Sequence, residues 1–592
     1  MIARRLLTLL SALVLVQLAG CATYGSGVQQ ALTAVEEGDY TKAATQIQSS
    51  LSADGKDRLL YNLELGVIRH LEGNYAESNR LLEDAARISE ALKKKQLRDS
   101  LVVMMSNPRN ADYAGNTHEE MMIYYYKALN YLAIAGQLPP GNARLDAIEG
   151  ARIESRRLLL RLQALRNNEG SYNQYKDKEE RTFSKVMDVF SVLVGNLVDT
   201  DDLTYRDDAL AHYLTGVSFE MNDEYDNARI SYLKAAESYE SGYSEQFQLG
   251  NGMAQQAWLD VARMMRRTGF SDNEITQITG GKLSESQLSL LDSVADKSQL
   301  LVIEHKGRVP EKKELNLQLS INPNLRALEL QPYFFEYSQE EINWFYLLYA
   351  DKMFYGLVAD YLNATRNFRV DFFTKTIFLG PLYDTAESMG LTNAVGSSLR
   401  VAVPYYGRPL DYGQSLLTID QQTWSLDPAA SPQLMAIQEQ MKNAGPEIRA
   451  ALSRAAVKAI TASAIGSQDS TGLLAFAGKL AAQLSDAAET RSWLLLPGEI
   501  QIRRLFLEPG DHTLTLDSHL TDNRRQQIQK QVALKPGDIQ LWTVRTTGAN
   551  TTSKALPEKN EAAPEPDTQD GTPTTDSVPK TDKPTRRLPT KE

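Results

Sequence analysis

Cysteine is all but missing from this chain. Cys21 is the single one in 592 residues. No disulfide can close within the chain, and thiolate zinc sites are excluded. A protein of this size without disulfides must be stabilised by packing. Histidine is scarce too. The six are His70, His118, His212, His305, His512 and His519, with no two at metal-ligand spacing and no HExxH. There is no GxSxG nucleophile elbow and no Walker phosphate loop. Two SxxK matches occur, Ser231 to Lys234 and Ser577 to Lys580, without an SDN or KTG companion, and both are discounted. No cluster of Lys and Arg interleaves with aromatic residues, and the formal net charge is −12, which argues against a nucleic-acid partner. The expectation is a chain with no catalytic residues, no metal and no diffusible cofactor.

What is present begins at the N-terminus. Arg4 and Arg5 precede an apolar run from Leu6 to Val16, broken only by Thr8 and Ser11. That run falls short of the roughly 20 apolar residues that a spanning helix needs, and it reads as the core of an export signal. Leu18-Ala19-Gly20-Cys21 follows. Small residues let the chain lie extended in a peptidase groove, and the thiol can take a lipid. This resembles a lipobox, which implies removal of residues 1–20 and acylation of Cys21. A single acyl chain holds a protein to a membrane only marginally, while two or more hold it stably. Residue 22 is Ala rather than Asp, and resemblance to Gram-negative sorting rules implies the outer membrane.

The chain is 42% hydrophobic and 23% charged, globular in balance and long enough for two to four domains. Three segments align in its first half. They are Gly38-Asp39-Tyr40-Thr41-Lys42-Ala43, Gly73-Asn74-Tyr75-Ala76-Glu77-Ser78 and Asp223-Glu224-Tyr225-Asp226-Asn227-Ala228. The first two are about 35 residues apart, close to the 34 of a tetratricopeptide repeat. Gly66 and Gly216 precede the second and third turns, while Ala85 and Ala235 follow them. Such glycines let two helices approach closely, and the aromatics Tyr40, Tyr75 and Tyr225 are expected to fill the space between them. Amphipathic runs at Glu119 to Ala135 and Arg144 to Leu165 read as longer inserted helices, and Phe270 to Ser298 as closing helices. Residues 21–298 are therefore expected to form a tetratricopeptide-like α-solenoid, a class that stacks repeats into a binding surface.

From Leu300 the period changes. Leu300 to His305, Leu315 to Ile321, Ser398 to Tyr405, Ser492 to Leu496, Glu499 to Leu507, His512 to Asp517, Gln529 to Leu534 and Ile539 to Arg545 read as strands. Pro497-Gly498, Pro509-Gly510 and Pro536-Gly537 fit type II turns. The expectation for 299–545 is a small β-sandwich-like domain with helical insertions at about 338–367 and 432–489, which makes the fold α+β. Residues 546–592 contain no aromatic and little that is apolar, so they read as a disordered tail.

In order along the chain stand Tyr125-Tyr126-Lys127-Ala128-Leu129-Asn130-Tyr131-Leu132, Glu304-His305-Lys306-Gly307-Arg308-Val309-Pro310 with Lys312, and Val401-Ala402-Val403-Pro404-Tyr405-Tyr406. Glu489-Thr490-Arg491-Ser492-Trp493 with Leu496-Pro497 and Arg504 comes last. Together they resemble a family of uncharacterised Gram-negative lipoproteins with a tetratricopeptide-like N-terminal half, which more often has Asp where Glu489 stands. The resemblance implies no mechanism. Polar residues near turns mark one candidate binding cluster, Glu304, His305, Lys312, Arg491, Trp493 and Arg504. The alternative is that the arginines pair with carboxylates and Trp493 belongs to the core. These readings lead to an outer-membrane-anchored periplasmic scaffold or adaptor. It would be held to the membrane by its lipid and would bind an envelope protein. Activation of a peptidoglycan synthase and an envelope hydrolase stand as alternatives.

Overall fold

The computed structural model describes residues 23–98, 107–167, 208–294, 297–332, 338–345, 374–395, 398–466, 487–521 and 524–547. The signal with Cys21, residues 346–367 and 467–486 of the two insertions, and the tail from 548 on lie outside the described residues. The fold is α+β, a helical N-terminal half followed by sheets.

Each aligned segment falls on the turn of a helix hairpin. The hairpins are α1 (Thr23–Glu36) with α2 (Tyr40–Ser50), α3 (Arg58–Leu71) with α4 (Tyr75–Arg98), and, after α5 (Thr117–Gln137) and α6 (Asn142–Asn167), α7 (Ala209–Glu220) with α8 (Tyr225–Ser238). The first residue of each segment adopts the left-handed conformation, with φ of 76° at Gly38, 80° at Gly73 and 57° at Asp223. Glycine takes that conformation freely, and Asp is among the few other residues that tolerate it. Inside the hairpins the expected close approach is present. A Cβ on Gly66 would stand 2.9 Å from Leu82, and one on Gly216 would stand 2.5 Å from the Tyr232 ring. The Ser78 hydroxyl donates to the Gly66 carbonyl at 2.7 Å, and Ala85 and Ala228 are fully buried. The aromatics after the turn behave differently from expectation. Tyr75 and Tyr225 are half-buried at the hairpin end, where Tyr75 tilts against His70 with centroids 5.6 Å apart. The side chains that fill the hairpins are Leu82 and Tyr232.

Helices α9 (Gly252–Arg267), α10 (Asp272–Thr279) and α11 (Glu285–Ser293) close the helical half. Capping boxes from Ser271 with Glu274 and from Ser284 with Gln287 start the last two. Helix α5 is buried on most sides and packs against α4 and α6 as well as elements of the second half.

The second half contains strands β1 (Ser298–Lys306), β2 (Lys312–Asn322), β3 (Ala327–Pro332), β4 (Lys375–Phe378), β5 (Leu399–Tyr406), β6 (Leu416–Ile419), β7 (Gln422–Ser425), β8 (Asp427–Ala430), β9 (Glu499–Leu507), β10 (Gly510–His519), β11 (Arg525–Leu534) and β12 (Ile539–Thr546). Helices α12 (Gln339–Phe345), α13 (Leu382–Ser388), α14 (Leu391–Val395) and α15 (Pro432–Gly466) are interspersed. Among the described residues three four-stranded sheets form, in the orders β12-β1-β9-β8, β11-β10-β6-β7 and β4-β3-β2-β5. In the first, β1 pairs parallel to β12 and antiparallel to β9.

All nine residues of β1 are buried, because the first sheet is covered on both faces. Leu300 and Val302 meet Leu417, Leu514, Leu516 and Val532 of the second sheet. Leu301 and Ile303 face the other way, into a core continuous with the helices.

Two expectations are corrected here. Ser492 to Leu496 is a turn rather than a strand, because its backbone N–H groups are taken by glutamates of the helical half. Pro536-Gly537 does form the expected turn, with Gly537 at φ 72° and Asp538 N–H bonded to Lys535 O at 3.1 Å. At Pro497-Gly498 the glycine serves close approach instead. A Cβ there would stand 2.6 Å from the Tyr412 hydroxyl and 2.9 Å from the Arg308 carbonyl.

Candidate functional site

The six residues of the candidate cluster go to three places. Strand alternation sends Glu304 and His305 to opposite faces of β1. Glu304 looks toward the second sheet, where its Oε1 accepts from the Ser518 hydroxyl and, at 2.7 Å, from Thr546. Arg504 lies four residues from His305 in register, on the helical face. It donates to Glu220 at 2.5 Å, Asp260 at 3.2 Å and Tyr232 at 2.8 Å. Arg263 pairs with the same two acids at 2.9 Å. Burial would raise the Glu220 carboxyl, but the two guanidiniums hold it well below the usual range. Two cations and two anions thus neutralise one another in the interior, an arrangement that is costly to break.

The other four converge around the start of α5. Arg491 forms ion pairs with Asp57 and Glu489, both at 2.6 Å, and donates to the Pro108 and Ala111 carbonyls. The Trp493 N–H donates to Glu119 at 2.7 Å, and its ring lies 5.9 Å from Tyr126. The His305 ring stands 5.3 Å from that of Tyr126 and bonds the Tyr125 hydroxyl through Nε2 at 2.9 Å. Lys312 reaches Asn116 at 3.4 Å and lies over the Tyr406 ring.

These residues join the two halves. Glu64 of α3 accepts the Leu494 and Leu495 N–H groups at 2.7 and 3.1 Å. Burial raises its carboxyl to about 8 despite those bonds. Glu439 of α15 caps the N-terminus of α5, taking the Thr117 and His118 N–H groups at 2.6 and 2.9 Å and the His118 ring at 2.7 Å. Burial would push Glu439 up, but His118 and these donors bring it down to about 2. His70 bonds Asn130 at 2.6 Å, and burial lowers it to about 4. Burial lowers His305 well below its ordinary value.

A different feature opens to solvent. Helix α6 and the α7–α8 hairpin enclose a groove of about 260 Å³. Its apolar lining includes Ile153, Leu159, Phe219 and Ile230, and Ile153 and Ile230 are each 44% exposed. Arg152 is engaged, pairing with Glu149 and Glu224 and lying over Phe219 at 4.6 Å. Arg156 and Lys234 are exposed on the rim and form no ion pair with the described residues. Ser231, from the SxxK match, also lines the groove, but its hydroxyl is turned back to the Asn227 carbonyl at 2.9 Å. Sequence reading missed this groove. Its traces there are exposed apolar residues on largely polar helices, Ile153 with Leu145 and Leu160 on α6 and Ile230 on α8.

Among the described residues there is no group of three His, Cys, Asp or Glu able to hold a metal, and no helix long and apolar enough to cross a membrane. Compared with models of known families and with curated proteins, the chain matches none.

Proposed function

We propose that this protein is an outer-membrane-anchored periplasmic lipoprotein that serves as a binding scaffold, holding an acidic, partly apolar segment of an envelope protein. The observation that carries the reading is the α6–α7–α8 groove, where exposed Ile153 and Ile230 stand beside Arg156 and Lys234, exposed cations with no ion pair among the described residues. Apolar side chains exposed together mark interaction sites when they are rimmed by charge. Glu149 on the same lining is paired with Arg152, which leaves Arg156 and Lys234 as a net positive charge that selects partners of the other sign. On this reading the hairpins are tetratricopeptide-like repeats, and the first two sheets are a β-sandwich that braces them. Glu64, Glu119, Glu439, His70 and His118 at the junction are engaged by the protein's own groups, which supports a role in joining the two halves.

The anchor rests on Leu18-Ala19-Gly20-Cys21. Cys21→Ala is expected to abolish lipid labelling and release the protein from membranes. Pull-down from intact envelopes is expected to return one specific protein with the wild type and to lose it with R156E/K234E. Recovery of the same proteins with both chains, or of lipids and sugars alone, would refute the scaffold.

A further inference from the structure

Arg545 is a buried cation that forms no ion pair with the described residues. It stands on β12 beside His305 of β1, 8% exposed, facing the helices. Its Nη2 donates to the Gly307 carbonyl at 2.6 Å, while Nε and Nη1 have no well-formed hydrogen bond among the described residues, and the only other polar group there that feels one from this guanidinium is the Tyr126 phenol. The groups that act on it most are the Tyr126, Tyr412 and Tyr40 phenols and a second cation, Arg308. His70 and His305 also feel its charge, which adds to the effect of burial in keeping them neutral. Three carboxyls lie in this neighbourhood. Glu499, which acts on Tyr412, is pushed up to about 7 by burial and has Lys306 opposite it in register. Glu36 is already paired with Arg308 at 3.2 Å. Glu64 spends both oxygens on Leu494 and Leu495, and with its proton held to about pH 8 it carries little charge at neutrality.

An uncompensated guanidinium in the interior costs several kcal/mol, and native proteins pair such groups. A water molecule could take up the free N–H groups but would leave the charge unbalanced. The surroundings are suited to an anion instead. The Tyr126 hydroxyl can donate, and His305 Nδ1 and Trp493 Nε1, on rings 5.3 and 5.9 Å from that of Tyr126, are unpartnered. Arg308 keeps 27% of its side chain exposed and Tyr40 is half-buried, so two of the groups that act on Arg545 reach the surface. Gly307 and Gly498 leave no room for a Cβ against Tyr412, which fixes that phenol in place.

We infer that Arg545 is the inner end of a binding site for a small oxyanion, a carboxylate or a phosphate, entered past Arg308 and Tyr40. The inference stands apart from the α6–α7–α8 groove and survives if that groove binds nothing.

The test is calorimetric titration of the full-length protein, exchanged into chloride buffer, with sodium phosphate and with sodium acetate at matched ionic strength. One of the two is expected to bind at one site per chain. Loss of a hydrogen bond to a charged group is expected to weaken that affinity roughly tenfold or more in Arg545→Met. Arg308→Gln, at a partly exposed position, is expected to weaken it by a smaller factor while melting in chloride stays unchanged. Preference for phosphate or for acetate decides which oxyanion the site takes. Failure of both anions to bind the wild type, or equal binding by the wild type and both variants, would overturn the site.

Discussion

Glu119 and Trp493 stand 374 positions apart and meet through a backbone N–H to carboxylate bond of 2.7 Å. The same carboxylate accepts the Tyr113 hydroxyl and the Asn116 N–H. One α5 side chain therefore holds its own helix start and the turn that leads into β9. Glu64 does the same for the next two residues of that turn. The helices supply acids, the strand half supplies free N–H groups, and each would be unsatisfied without the other.

Breaking that bond has a calculable cost. Glu119→Ala leaves a buried N–H and a phenol without acceptors, at about 1–3 kcal/mol each. Urea unfolding is expected to show a loss of about 3 kcal/mol. Amide exchange at Trp493 to Leu495 is expected to speed up more than exchange in α9. An unchanged midpoint would contradict the junction.

The hairpin glycines are expected to differ from one another. In Gly216→Ala the new methyl meets the rigid Tyr232 ring at 2.5 Å, so a loss of about 1–3 kcal/mol follows. In Gly66→Ala it meets the flexible end of Leu82 at 2.9 Å. The roughly 1 kcal/mol by which a helix favours Ala over Gly offsets that contact. Thermal melting should rank Gly216→Ala well below Gly66→Ala, and the reverse order would contradict the packing.

Two buried groups give opposite pH slopes. His70 is lowered from 6.5 to about 4 in the folded chain. As pH falls below 6.5 the unfolded imidazole takes a proton that the folded one refuses, so its contribution is lost toward pH 4. Glu64 is raised from 4.5 to about 8, so its contribution is full below 4.5 and lost as pH rises through 8. Between pH 7 and pH 5, the wild type should lose about 2 kcal/mol relative to His70→Gln and gain about 2 kcal/mol relative to Glu64→Gln. Denaturation at the two pH values reads both differences. Parallel behaviour of the two variants would contradict the assignment.

The hairpins were readable because a left-handed residue followed by Tyr marks a helix turn locally. Strands β1, β2, β5 and β9 to β12 were readable from their period. Strands β6 to β8 have four residues each, and β8 contains Pro428, so no period can be seen. The run Trp493 to Leu496 was misread because burial by α3 and α5 makes a turn as apolar as a strand. Alternation along β1 already separates Glu304 from His305. The groove was not readable, since Ile153 and Ile230 come to line one groove only when α6 docks on α7 of the α7–α8 hairpin.

Site-specific photocrosslinking in intact envelopes tests the scaffold most directly. A photoreactive side chain at Ile230, and another at Ile153, should capture the same envelope protein. That adduct should disappear in R156E/K234E and should not form from Leu325, which is exposed in the strand half. Equal adducts from all three positions, or none from the groove, would contradict the account.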